Sequence, residues 1–180
     1  MSRVITFSRA YPAYHQRKGE PTFFPEKLFN SLHRAAGIYF THHYSIVSLN
    51  PGKEKEADSF WDTVEMNYDN LGFKGHTIRE GHRWKVGDKF SPRVWSGKPY
   101  HSKQIIIAPD VEIKKVWNFK IESGIFWILG TGGRALALSK NQISRIAAND
   151  GLSAEDFKTW FQYPKPFKGQ IICWDKSINY

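Results

Sequence analysis

Lys74, Thr77 and Arg79 lie close together in the run Lys74-Gly75-His76-Thr77-Ile78-Arg79. If the run is extended, side-chain alternation puts Thr77 and Arg79 on one face. Positive charge from Arg79 and Arg83 disfavours a protonated lysine beside them. Lys74 would then titrate below its usual value of about 10.4, in reach of general-base work. Thr77 would supply an oxygen nucleophile, and Asp150, brought from a later link, would move a proton or orient the lysine. Each residue also has a structural reading. Thr77 could cap a turn at a strand edge, Lys74 could be a solvated charge, and Asp150-Gly151 could be a turn.

The neighbourhood favours an anionic partner. Residues 74 to 104 carry eight Lys/Arg against two acids, a net +6 of the chain's +9. Arg79, Arg83 and Lys85 suit phosphates, and the rings of Trp84, Trp95 and Tyr100 could stack on bases. Lys98, Tyr100 and Lys103 flank the Ser96-Gly97 turn as an outer rim. The competing reading is a solvated strand face with its aromatics in the core. Tyr14, His15, Lys18 and Glu20, in the polar loop before the first helix, are secondary candidates, because a helix N-terminus attracts anions.

The order of motifs is more specific than any one of them. A first helix, Phe23 to Asn30, precedes Lys74-x-x-Thr77-Ile78-Arg79. Then come Trp84-Lys85-x-Gly87-Asp88 before a strand, and a late helical stretch, Ile146 to Phe157, before the last strand. This order resembles the ASCH family of the PUA-like superfamily, over residues 1 to 32 and 74 to 180. The resemblance implies a small PUA-like β-barrel with flanking helices. Some ASCH proteins are amidohydrolases of acylated cytidine that use the Lys and Thr of KxxTIR with a late Glu; others look like RNA binders or ribonucleases. Lys74 and Thr77 match by position. The carboxylate position falls on Asp150, one methylene shorter than the family's Glu.

The elements that must position these residues can be read from patterning. Val4 to Phe7 reads as an opening strand and Thr22 as a helix N-cap. Lys89 to Trp95, Gln104 to Ala108, Val111 to Ile121, Ile125 to Leu129, Ala135 to Leu138 and Phe167 to Trp174 read as strands. Ser139 with Gln142 and Ser153 with Asp156 have the spacing of helix caps, which leaves Asp150-Gly151 in the link between two helices. Gly130-Thr131-Gly132-Gly133 lacks the Lys-Ser/Thr ending of a phosphate-binding loop and reads as a hairpin turn. Residues 33 to 73 hold three Lys/Arg and six Asp/Glu. They read as an acidic insertion in a loop, with Tyr44 to Leu49 extended and Phe60, Val64, Tyr68 and Leu71 on one helix face that packs its aromatics on the body. Deleting most of it should then leave the rest folded.

With 180 residues, 41% of them hydrophobic, the chain can bury one good core and reads as a single α+β domain. The absence of a long apolar run predicts a cytoplasmic protein with no membrane partner. The lone Cys173, inside an apolar run, suits strand packing better than redox chemistry. Seven histidines show no helical or finger spacing, so neither metal nor cofactor is expected. The expectation is a basic cleft that binds RNA or a modified nucleotide. The alternatives are a hydrolase, either a nucleoside amidohydrolase or a ribonuclease, and a protein-interaction module using the insertion.

Overall fold

The computed structural model describes residues 2–36, 43–65, 68–130, 134–161 and 166–180. The fold is α+β, with two sheets and five α-helices among these residues. In the first sheet, β1 (Arg3–Thr6) runs parallel to β3 (Lys89–Trp95). The other side of β3 pairs antiparallel with β4 (Gln104–Ile106) at one end and β5 (Val111–Glu112) at the other. The second sheet is antiparallel, in the order β2 (His76–Glu80), β9 (Phe167–Cys173), β6 (Lys115–Glu122), β7 (Ile125–Leu129) and β8 (Ala135–Ala137). The run expected as one strand from Val111 to Ile121 is divided. At Ile113 and Lys114 the chain leaves one sheet for the other: Ile113 N–H bonds the Asp88 carbonyl, and Lys114 N–H bonds the Cys173 carbonyl.

No strand pairing among the described residues joins the two sheets into a closed barrel. One edge is closed by a side chain. The Asn50 amide donates to the Ile106 carbonyl and accepts from the Ile106 N–H, both at 2.8 Å. Asn50 therefore stands in for a further strand beside β4, as a buried edge requires.

Helix α1 (Phe24–Ala36) starts one residue after Phe23, whose carbonyl accepts the first helical bond, from Lys27 N–H. Thr22 supports that start by accepting from Phe24 N–H at 3.3 Å. Tyr44 to Leu49, expected as extended, falls instead largely within α2 (His43–Ser48). The Asn50 amide also takes the Ile46 carbonyl at 2.8 Å, so a cap overrides the β-branched composition. Helix α3 (Glu54–Trp61) ends before Val64, because the Thr63 hydroxyl donates to the Phe60 carbonyl at 2.6 Å and competes with the helical ladder. Tyr68–Leu71 is a separate 3₁₀ turn. The expected single helical face is thus broken, while Ile46, Ala57, Phe60 and Val64 all join the core.

Helix α4 (Lys140–Asn149) opens on a capping box: Ser139 accepts from Gln142 N–H, and the Gln142 side chain accepts from Ser139 N–H. Helix α5 (Ala154–Trp160) is capped by Ser153. Gly151 links them at φ +79°, where a Cβ would also press on Lys27 and Lys74. A Cβ on Gly169 would overlap the Arg79 carbonyl, so glycine sets how closely β9 approaches β2. The expected Gly130–Gly133 turn lies mostly outside the described residues. Its flanking strands, β7 and β8, pair antiparallel. No helix among the described residues is long and apolar enough to cross a membrane.

Candidate functional site

The chain just before β2 is stitched to two helices. Asn30 donates to the Gly72 carbonyl at 2.7 Å, Lys74 N–H to the Lys27 carbonyl at 2.9 Å, and Gly75 N–H to the Asn149 carbonyl at 2.8 Å. These bonds bring Lys74, on the entry to β2, against Asp150, at the end of α4. Lys74, Thr77, Arg79 and Asp150 line one cavity of about 210 Å³. Phe24, Trp95, Tyr100 and Trp160 add aromatic walls.

The Lys74 ammonium donates to the Asp150 carboxylate at 2.5 Å and to the Asp150 carbonyl at 2.6 Å, and it lies 4.1 Å from the centre of the Phe24 ring. Both charged residues are buried, at 2% and 4% exposure. Burial pushes Lys74 down to about 8, against the pull of Asp150. Burial likewise raises the Asp150 carboxyl, while Lys74 and then Arg79 oppose that rise. Arg79 donates to the Thr6 carbonyl, and its Nε has no partner among the described residues. Burial lowers its pKa too, yet a guanidinium stays charged at any ordinary pH. The site thus offers an anion-seeking donor, a buried ion pair and a threonine hydroxyl beside aromatic faces.

Two contributors carry no clear signal in the sequence. Lys27 grips the link after Asp150, donating to the Gly151 carbonyl at 2.8 Å and the Thr22 carbonyl at 3.2 Å. Burial lowers its pKa. His76 is fully buried, with Nδ1 3.6 Å from the Asp150 carboxylate, and neither ring nitrogen has a partner of ordinary geometry among the described residues. Burial, and then the Lys74 charge, hold its ring well below the usual imidazole range, so it is neutral. Lys27 lies in the run read as the first helix and His76 next to Thr77. Only the fold turns them toward the ion pair.

The remaining candidates divide. Trp95 and Tyr100 meet at the cavity mouth, ring centroids 5.3 Å apart, with Tyr100 86% exposed. Trp84 is not available for stacking. It is 2% exposed, packs edge-on against Phe90, and has its backbone N–H and carbonyl both bonded by the Gln170 side chain. Arg83 is exposed and lies over the Trp84 ring; Lys85 and Lys98 are exposed, and none of the three lines the cavity. Lys103 is held by Glu56 of α3 at 2.5 Å, a charge pairing between the acidic and basic segments.

The loop before α1 serves α5. His15 is buried, with Nε2 3.2 Å from the Asp156 carbonyl, and the exposed Tyr14 donates to the Trp160 carbonyl. Glu20 binds Arg17, which with Tyr11 also donates to the Asp156 carboxylate. Lys18 is exposed. These contacts hold Trp160 and Phe161 at the cavity wall, and none of Tyr14, His15, Lys18 and Glu20 lines it. Among the described residues no cluster of His, Cys, Asp and Glu is suited to a metal ion. Comparison of the chain with protein-family models, with curated proteins and with solved structures gives no match.

Proposed function

We propose that the cavity binds a single nucleotide of RNA, or a modified nucleoside, and that the chain is an ASCH-type protein of PUA-like ancestry whose barrel is opened into two sheets. The observation that carries this reading is the joint lining: Lys74, Thr77 and Arg79 from one short segment, and Asp150 from a distant part of the chain, share about 210 Å³ with six aromatic residues. Aromatic walls suit a base, and the half-buried Arg79 guanidinium suits its phosphate or a polar substituent. Calorimetric titration with nucleosides, nucleoside monophosphates and short RNA tests it. Arg79→Ala should weaken binding about tenfold or more, as loss of a charged hydrogen bond does. Failure of every such ligand to bind sinks the reading.

A second reading, hydrolysis of an acylated cytidine, is favoured by the depressed pKa of Lys74 in the cavity that Thr77 also lines. Once Lys74 is neutral, it accepts the Thr77 proton as the hydroxyl oxygen bonds to the acyl carbon. The amide C–N bond then breaks, the departing nitrogen takes the proton, and water releases the acid from the threonyl ester. The base form of Lys74 prevails above about 8, so kcat/KM should rise with pH through that value and then level. Thr77→Val should abolish acid release and leave nucleoside binding nearly intact. Wild-type protein that releases no acid from the substrate leaves binding as the function.

A further inference from the structure

Beside the Lys74 cavity lies a second one, of about 380 Å³. Three chain segments wall both. Thr6, Phe7 and Ser8 face the first and Arg9 and Ala10 the second; Phe24 faces the first and Phe23, Pro25 and Glu26 the second; Trp95, Pro99 and Tyr100 face the first and Gly97 the second. The two cavities are thus neighbours along all three segments.

The second cavity contains an unanswered acceptor. Glu26 is 5% exposed; its Oε1 accepts a long bond from Glu65 N–H, 3.3 Å, and its Oε2 has no partner among the described residues. Buried carboxylate oxygens are normally bonded, so the unpaired oxygen of a residue that lines a cavity leaves acceptor capacity for a donor from outside the chain. Arg9, held over Phe60 and bonded to Thr63, brings positive charge to the same cavity. Two aromatic residues carry left-handed backbone, Phe23 at φ +55° and Tyr100 at φ +64°, and one lines each cavity. Such strain persists where the surroundings enforce it, and it collects at ligand sites.

We infer that the second cavity receives the base adjacent to the one held in the Lys74 cavity, and that Glu26 selects a base edge presenting two N–H donors, as guanine does. The inference rests on the nucleotide-binding reading above and narrows it to an oligonucleotide with a guanine neighbour. A carboxylate accepts the ring N–H and exocyclic amino group of guanine side by side, whereas uracil offers one N–H. Arg9 suits the intervening phosphate.

The test is fluorescence anisotropy at low salt with three labelled RNAs: heptauridine, the same strand with one central guanosine, and the same strand with inosine there, which lacks the amino group. The guanosine strand should bind about tenfold tighter than heptauridine, and inosine should lose most of that gain. Glu26→Gln should bring the guanosine strand to the affinity of heptauridine; the inosine strand asks the same question of the wild-type protein. Equal affinity for guanosine and uridine strands, or a guanosine preference that survives both Glu26→Gln and inosine, overturns the inference and leaves the nucleotide reading standing. Binding of free nucleosides without any oligonucleotide overturns the inference alone as well. Failure of nucleosides and all three strands removes both.

Discussion

At the scale of single residues, the molecule turns on the buried Lys74–Asp150 pair. Each charge has given up water for the other, so removing one partner leaves an uncompensated charge in the interior. Lys74→Met or Asp150→Leu alone should lower unfolding free energy by about 3–5 kcal/mol in urea denaturation, and the double variant should recover most of the loss. Single variants with wild-type midpoints would mean that the pair is solvated. The sequence pointed to Lys74, Thr77, Arg79 and Asp150 through residue type and motif order, and the structure brings all four to one cavity. It gave no means of ranking the tryptophans. Trp84 and Trp95 both sit among cations, but Gln170 reaches across from β9 to draw one inward, a contact between residues 86 positions apart. His76 was hidden for a similar reason: strand alternation turns it away from Thr77, and only α4 supplies the Asp150 it faces.

At the scale of elements, the acidic segment is an integral layer. Phe60, Ile46 and Ala57 are buried at 2%, 0% and 0% exposure, Asn50 caps β4, and Glu56 holds Lys103. Removing residues 43 to 65 with a short linker should therefore abolish cooperative unfolding, and Phe60→Ala should cost about 3–5 kcal/mol by leaving a cavity. A deletion variant that melts cooperatively near the wild-type temperature would restore the view of this segment as a dispensable insertion. Periodicity places Phe60 and Val64 on a face that packs on the body, and both are buried; charge and motif order, which read the segment as an insertion, do not report how much burial it contributes. What patterning did report was local: the caps at Ser139 and Ser153, most of the strands and the Asp150-Gly151 link, since each depends on a few neighbouring residues.

For the whole molecule, the question is how much of the net +9 faces a ligand. Of the basic segment, Lys74 is buried with Asp150, Arg79 is tied to Thr6, and Lys103 is neutralised by Glu56. Arg83, Lys85, Lys89 and Lys98 remain exposed. If Arg79 and two of these meet phosphates, the log–log dependence of RNA affinity on salt should have a slope of about −2, from about −0.7 per phosphate on single strands. Anisotropy titrations over a range of salt concentrations measure it. A slope near zero would assign binding to the cavity's aromatic and polar groups alone, and a much steeper one would implicate cations beyond the cavity mouth.

By itself the sequence determined the α+β class, where most strands and two helices begin, and which few residues could do chemistry. Hydrophobic alternation, capping pairs and turn glycines act over a handful of positions and need no partner from elsewhere. Tertiary structure decided that the strands form two sheets, that the acidic segment belongs to the core, and that Lys74 meets Asp150. Those outcomes rest on bonds between distant residues, Lys74 to Lys27, Gly75 to Asn149 and Asn50 to Ile106. Burial follows from them, and burial is what shifts the titration of an otherwise ordinary lysine and aspartate.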